Sequence, residues 1–120
     1  MQSAMSGYCT QEAARVLGLR EEEVRRHARA GFVSPRRGAR NALRFSFQDL
    51  VLLRAADELV RANVPAARVR RALRRLRAQL PEGRSLASVQ VAADGEAIVV
   101  RDGQARWHPE TGQVLLDFEV

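Results

Sequence analysis

The sequence contains no lysine, a single cysteine and no long hydrophobic run. One thiol, Cys9, excludes an intrachain disulfide. The longest purely aliphatic runs, Leu50–Leu53 and Ala97–Val100, are far shorter than the roughly 20 residues that a membrane helix needs. Residues 1–7 lack the basic and apolar regions of a secretory signal peptide. We therefore expect a cytoplasmic protein that has no membrane partner.

Residues suited to catalysis or metal binding are also scarce. Cys9, His27 and His108 are the only thiol and imidazole side chains, and their spacing matches no metal-ligand pattern. The sequence has no Ser/His/Asp, Cys/His or phosphate-cradling glycine motif, and 120 residues are too few for a large enzyme architecture. We therefore expect no enzyme activity, no metal and no cofactor. No convergent set of polar residues marks a pocket, which argues against a small-molecule effector.

The charges divide the chain into two parts. Residues 1–84 hold 18 arginines and eight acidic residues, a net charge of +10, whereas residues 85–120 hold two arginines and six acidic residues, a net charge of −4. The exclusive use of arginine fits a GC-rich genome and indicates no function. The asymmetry, in contrast, predicts that the first part meets a polyanion and the second does not.

The first part begins with two short helices. The spacing of Ala13, Ala14 and Leu17 predicts a helix over 11–17, with Thr10 as its N-cap and Gly18 as its stop. A second helix is predicted over 21–30, ending at Gly31. Two short helices joined by a glycine-containing turn of about three residues form a helix-turn-helix.

A basic hairpin and two longer helices complete this part. Two extended pieces, Phe32–Val33 and Leu43–Phe45, are predicted on either side of an arginine-rich loop. Ser46 and Asp49 approximate a capping box for a third helix that ends near Ala62, with Asn63 in the left-handed conformation. The residues expected to be buried on this helix are Leu52, Ala56, Leu59 and Val60.

The fourth helix is predicted over 66–80. Its apolar stripe consists of Ala66, Val69, Leu73, Leu76 and Leu80. The stripe lasts only two heptads, so a packed amphipathic helix is favoured over a coiled coil. Six arginines cover the rest of the helix and either extend a phosphate-binding surface or form a solvated face.

Residues 85–120 predict a β-meander. Turn residues at Asp94–Gly95, Asp102–Gly103 and Pro109–Gly112 separate four segments with alternating apolar residues. Four strands this short are marginal alone, so their apolar face is expected to pack on the helices or on a second copy. The alternation runs up to Val120. Two alternatives therefore stay open: a complete meander, or the start of a longer C-terminal region. The boundary between the two parts is placed at Pro81–Gly83.

The order of these elements resembles that of the MerR family of winged helix-turn-helix transcription regulators. Thr10–Leu19 is similar to the first helix and turn of that family, Val24–Val33 to its second helix, Leu43–Leu50 to the wing and third helix, and Val64–Val69 to the start of the fourth. We therefore predict an α+β fold, with a four-helix winged helix-turn-helix domain at residues 8–80 and a small antiparallel β-meander at residues 85–120. The resemblance implies that duplex DNA is the partner, with the second helix in the major groove and the wing on the backbone and minor groove.

Three features depart from the family pattern. Arg26 and His27 stand where the family has two aromatic residues, and Glu21–Glu23 replace a small polar opening of the second helix. The family dimerises through a long helix after the fourth, but here Pro81–Gly83 and strands follow. A homodimer would therefore need another route.

The predicted DNA contacts lie on the first two helices and the wing. On the second helix, Glu22, Arg25, Arg26 and Arg29 share one face, which either faces DNA or is a solvated face held by Glu21–Arg25 and Glu22–Arg26 pairs. The wing carries four arginines in nine residues, suited to phosphate contact, although a solvated loop is the alternative. The full set of predicted DNA-binding residues is Thr10, Gln11, Arg20, Glu22, Arg25, Arg26, Arg29, Arg36, Arg37, Arg40 and Arg44.

The favoured interpretation is a regulator of transcription that binds duplex DNA through the second helix and the wing. The alternative is a protein-interaction adaptor on the same scaffold that does not bind DNA, suggested by the three glutamates and the missing dimer helix. The meander would serve dimerisation, autoinhibition through its negative charge, or docking of a further domain.

Overall fold

The computed structural model describes residues 7–79, 89–94, 97–102, 105–112 and 114–115. A small hairpin lies between the second and third of four helices, and a four-stranded antiparallel sheet follows them. The helices are α1 (Thr10–Leu17), α2 (Glu21–Arg29), α3 (Phe47–Arg61) and α4 (Ala66–Gln79). The strands are β1 (Arg36–Arg37), β2 (Leu43–Arg44), β3 (Val89–Asp94), β4 (Ala97–Asp102), β5 (Ala105–Trp107) and β6 (Val114–Leu115). The predicted α+β fold is confirmed.

Helix α1 begins at Thr10, and its N-cap is Cys9. The backbone N–H of Glu12 donates to the Cys9 sulfur at 3.5 Å, and the backbone N–H of Cys9 donates to Glu12 Oε1 at 2.9 Å. The prediction that Thr10 caps the helix is therefore wrong by one residue, because the thiol takes the place of a hydroxyl in a capping box. At the other end, Gly18 has a φ of 71° and ends the helix as predicted.

Helix α2 follows after the three-residue turn Gly18–Arg20. It ends at Arg29, one residue earlier than predicted, and Gly31 adopts a φ of 85°. Val24 and His27 are the residues that α2 buries most deeply against the rest of the helical part. The helix-turn-helix is therefore present with the predicted order and spacing.

The wing differs from its prediction in the first strand. Phe32 and Val33 are both buried but belong to no strand, and β1 is Arg36–Arg37, which pairs with Arg44 and Leu43 of β2. Two consecutive buried side chains do not fit a strand that has one solvated face. The hairpin closes instead through a short 3₁₀ turn in which Arg40 has a φ of 57° and Asn41 a φ of 62°.

Helix α3 is held at its start by the predicted capping box. The backbone N–H of Asp49 donates to Ser46 Oγ at 3.0 Å, and that of Ser46 donates to Asp49 Oδ2 at 2.9 Å. Asn63 has the predicted left-handed conformation, with a φ of 66°. Leu52, Ala56 and Leu59 are buried as expected.

Two of the residues expected to be buried on α3 and α4 are exposed. Val60 is 40% exposed because the neighbouring elements cover the sides of α3 that carry Val51, Ala55 and Leu59. Ala66 is exposed at the first residue of α4. Val69, Leu73 and Leu76 are buried as predicted, and Leu80 lies outside the described residues.

The sheet has the order β3-β4-β5-β6, with every neighbouring pair antiparallel, which confirms the predicted meander. Its β3 strand packs on α3, and Val89, Val91, Ile98 and Val100 belong to the same hydrophobic core as the helices. The boundary at 81–83, the glycines at 95 and 103, and the last part of the fourth predicted strand (residues 116–120) lie outside the described residues. The division into domains at 8–80 and 85–120 stays a prediction.

The turn after β5 is joined to α4 by polar contacts. The guanidinium of Arg68 forms two hydrogen bonds with the carboxylate of Glu110, at 2.9 and 3.0 Å. Trp107 Nε1 donates to Gln79 Oε1 at 2.7 Å. Arg68 holds the pKa of Glu110 below its usual value, mainly through these hydrogen bonds. The meander is thus attached to both of the longer helices.

Candidate nucleic-acid interface

A groove of about 530 Å³ runs between the start of α1, the exposed side of α2 and the wing. Four of the predicted DNA-binding residues line this groove, namely Thr10, Arg25, Arg29 and Arg37. The other lining residues are Ala28, Pro35, Asn41, Ala42 and Leu43. The fold therefore brings together residues that lie up to 33 positions apart in the sequence.

The four predicted residues of α2 are all exposed on one side of the helix, as expected. Two of its arginines are engaged by glutamates: Arg25 Nη2 lies 3.1 Å from Glu21 Oε1, and Arg29 Nη2 lies 3.2 Å from Glu22 Oε2. Glu22 Oε1 also lies 4.0 Å from Arg25 Nη1. The expected Glu21–Arg25 pair is present, but Glu22 pairs with Arg29 rather than with Arg26. Across the part of the chain that the structure describes, Arg26 takes part in no ion pair.

The wing presents its arginines in different ways. Arg37 Nη1 donates to the backbone carbonyl of Asn41 at 3.0 Å, which braces the hairpin across its loop. Arg36 and Arg40 are exposed and form no ion pair with any described residue. Arg44 is half-buried, and its side chain lies against Gly38, where a Cβ atom would come within 3.0 Å of Arg44 Cγ. The wing therefore offers at least two uncompensated positive charges to a ligand.

Gln11 and Arg20 lie outside the groove. Gln11 is exposed in the first turn of α1. The side chain of Arg20 is 77% exposed, and its Nε atom lies 3.6 Å from Glu23 Oε1. The backbone N–H of Arg20 donates to the same carboxylate at 2.9 Å and lowers the pKa of Glu23. Arg20 is therefore the N-cap residue of α2, and its largely exposed side chain lies beside Glu23.

Three of the six α4 arginines are engaged inside the protein. Arg68 binds Glu110, and Arg70 Nη1 donates to the backbone carbonyl of Ala30 at 3.0 Å, which satisfies an acceptor at the end of α2. Arg77 Nη1 lies 3.1 Å from the buried carboxylate of Asp49. The remaining three, Arg71, Arg74 and Arg75, are exposed. Of the six arginines, only these three therefore remain available for the phosphate-binding surface predicted on α4.

A polar network that the sequence patterns did not predict lies behind α2. His27 is 4% exposed, and its Nε2 atom lies 3.3 Å from Asp57 Oδ1 on α3. Arg61 Nε donates to Asp57 Oδ2 at 2.7 Å, and Arg61 Nη2 lies 3.6 Å from Glu23 Oε2. Hydrogen bonding to Asp57 raises the pKa of Arg61 above its usual value. The three-residue spacing of Val24 and His27 was the feature that could have placed this histidine on the buried side.

Within the described residues, no group of three or more His, Cys, Asp or Glu side chains is placed to hold a metal ion. Each helix in these ranges is too short or too polar to cross a lipid bilayer.

Comparison with known proteins shows the family to which the helical part is similar. Residues 8–76 match the family described as MerR HTH family regulatory protein. The chain is also 31% identical, over 114 residues, to a Streptomyces coelicolor protein that carries the name heat shock protein HspR. That alignment covers 93% of this chain and 75% of the Streptomyces protein. No solved structure matches the chain significantly.

Proposed function

This chain belongs to the MerR HTH family of regulatory proteins, and from that premise we propose that it regulates transcription in the cytoplasm by binding duplex DNA through α2 and the arginine-rich wing. The observation that carries the proposal is the groove between α1, α2 and the wing, which gathers Thr10, Arg25, Arg29 and Arg37 on one exposed side. A hydroxyl and three guanidinium groups are the donors that commonly bind phosphate oxygens. The matched family is one of regulatory proteins, which supports a role in regulation rather than in catalysis.

The wing is the main source of phosphate affinity in this proposal. Arg36 and Arg40 carry positive charges that no described carboxylate compensates, and Arg37 is braced against the loop by its bond to Asn41. A cation on an exposed loop binds phosphate mainly by releasing counterions, so its contribution falls steeply with salt. Thr10, Gln11 and Arg20, at the starts of the first two helices, would add contacts to the sugar-phosphate backbone.

Two further parts of the proposal concern the role of the meander and the oligomeric state. We propose that residues 85–120 support the helical part and, through their net charge of −4, weaken the attraction of the protein for DNA. We also propose a homodimer by a route other than a long helix after α4, because two-fold regulators read paired half-sites. The proposal includes no small-molecule effector.

The test is fluorescence anisotropy of a labelled duplex of random sequence, titrated with the wild-type protein at low and at physiological salt. A protein that neutralises several phosphates binds at low salt and loses orders of magnitude in affinity at the higher concentration. A plot of log affinity against log salt concentration has a negative slope, and the double variant Arg36→Ala with Arg40→Ala should make this slope less steep by about two units. The matched control is Arg54→Ala with Arg101→Ala, which removes two exposed arginines of α3 and β4 that lie outside both the proposed interface and α4. A folded wild-type protein that does not bind the duplex at low salt would contradict the proposal.

The adaptor function is kept as the second candidate because of one observation. Glutamates compensate the charges of Arg25 and Arg29, so α2 presents less positive charge than its arginine content suggests. If the wild-type protein ignores duplex DNA at low salt, this candidate becomes the leading one.

A further inference from the structure

We propose that Arg26 is the residue of α2 that determines sequence specificity, by reading a guanine in the major groove. This inference rests on the proposed DNA-binding function and deepens it, because it assigns different tasks to arginines that share one face of α2. Base reading is assigned to Arg26, and phosphate contact from the groove is assigned to Arg25 and Arg29.

The assignment follows from where the three glutamates of α2 are engaged. Glu21 pairs with Arg25, and Glu22 lies against both Arg25 and Arg29. Glu23 faces away from this group: its carboxylate accepts from the backbone N–H of Arg20 and lies 3.6 Å from Arg61 on α3. Within the described residues, each glutamate near Arg26 is therefore committed to another partner, and Arg26 keeps its full set of donors.

The position of Arg26 suits base contact. It lies four residues after Glu22 and three residues before Arg29, so the three side chains share the exposed face of α2, while Val24 and His27 turn into the core. The groove next to the wing is lined by Arg25 and Arg29 but not by Arg26. Arg26 is thus on the flank away from the wing, where the exposed surface of α2 is free of the hairpin.

The chemistry of the guanidinium makes guanine the preferred target. Its planar fork donates two parallel hydrogen bonds to guanine O6 and N7, an arrangement that no other base pair offers in the same way. Arg26 can form these bonds without breaking an internal ion pair. Arg25 and Arg29 would first have to leave Glu21 and Glu22, which reduces what they gain from a new partner.

The test is selection of preferred duplexes from a randomised pool by the wild-type protein and by the variants Arg26→Ala, Arg26→Lys and Arg25→Ala. We expect the wild type to select a site with a guanine at a fixed position and Arg26→Ala to lose roughly 5- to 150-fold of the preference there. Arg26→Lys keeps the charge without the planar fork, so the salt dependence of binding should persist while the preference for guanine weakens. Arg25→Ala removes a proposed phosphate contact, so it should weaken binding to all sequences alike and keep the preference for guanine. The matched control is Arg54→Ala, an exposed arginine of α3 outside the proposed interface, which should change neither affinity nor preference.

The outcomes separate this inference from the function on which it rests. If the wild type binds duplex DNA but selects no sequence, or if Arg26→Ala selects the same site as the wild type, the inference is wrong and DNA binding stands. Loss of the guanine in Arg25→Ala but not in Arg26→Ala would also overturn it. If the wild type binds no duplex at low salt, the proposed function itself fails. Circular dichroism of each variant checks that the exposed substitutions leave the fold unchanged.

Discussion

Substitution of Asp49 by alanine should destabilise the whole protein, although the residue does not line the groove. Its carboxylate is 2% exposed and accepts the backbone N–H of Ser46 at 2.9 Å, which closes the capping box of α3. The same carboxylate lies 3.1 Å from Arg77 of α4. One side chain therefore holds the start of α3 and ties it to α4.

The expected loss can be worked out from these two contacts. Loss of a capping interaction costs about 1 kcal/mol. Breaking a buried ion pair costs about 3–5 kcal/mol when the remaining partner stays buried. Arg77 is 42% exposed, so water can solvate it after the substitution and the cost of the pair falls to about 1–2 kcal/mol. We expect Asp49→Ala to lower the free energy of unfolding by about 2–3 kcal/mol, out of roughly 6–18 kcal/mol for a chain of this length.

Urea unfolding followed by circular dichroism at 222 nm measures this difference. Glu58→Ala is the matched control, because Glu58 is an exposed acidic residue of the same helix and takes part in no ion pair with the described residues. Its effect should stay within about 0.5 kcal/mol. A free energy of unfolding for Asp49→Ala within that same margin of the wild type would refute the argument that the buried carboxylate fixes α3 and α4.

Three further predictions concern the pH dependence and two single positions. The folded-state pKa of Glu110 is lowered below its usual 4.5, so its pair with Arg68 stabilises the protein above that pH, and the contribution is lost as the pH falls through the lowered value. Glu110→Gln should therefore reduce stability by about 0.5–1 kcal/mol at neutral pH and flatten the acid side of the pH–stability profile; an unchanged profile would contradict this. His27→Ala should cost about 2–4 kcal/mol in urea unfolding, because it empties a buried site and leaves Asp57 without that partner, and a loss below about 1 kcal/mol would show that the site repacks. Gly18→Ala forces an L side chain to a φ of 71° and should cost about 1 kcal/mol; a melting temperature equal to that of the wild type would refute the strain.

Local sequence rules predicted the elements well where one residue type decides the geometry. Gly18 ended α1, Ser46 and Asp49 formed the capping box of α3, and Asn63 adopted the left-handed conformation. These features depend on the backbone of a few adjacent residues, so the sequence contains their cause. The N-cap of α1 was predicted wrongly because cysteine rarely replaces serine at this position. Glu12, three residues after Cys9, nevertheless completes the spacing of a capping box.

Features that depend on tertiary packing could not be predicted in the same way. Val60 has the helical spacing of a buried residue but is exposed, because the side of α3 that is buried depends on where β3 packs against it. The start of β1 was misplaced because Phe32 and Val33 have the composition of a strand but enter the core of the helical part. The Glu22–Arg26 pair expected from the helical spacing is wrong, because Arg25 and Arg29 also lie within reach of Glu22 and only side-chain positions show that it meets these two.

The sequence predicts part of the lining of the groove but not its arrangement. Charge and family resemblance indicate Thr10, Arg25, Arg29 and Arg37 separately, and only the fold shows that they surround a single cleft. Arg70 was counted among exposed arginines, but it binds the carbonyl of Ala30. A count of charges does not distinguish an arginine that is available to a ligand from one that donates to a backbone carbonyl.

The packing of β3 on α3 has a consequence for how the protein opens. Val89 and Val91 of β3 and Val51 and Ala55 of α3 are buried and line a shared boundary between the two elements. Amide protons in such a unit exchange with solvent only when the unit opens as a whole. The backbone amides of α3 around Val51 and those of β3 should therefore exchange at similar rates. The helix-turn-helix part and the sheet would share one cooperative unit of unfolding, so a ligand that binds and stabilises the sheet would also stabilise α3, on which α2 packs.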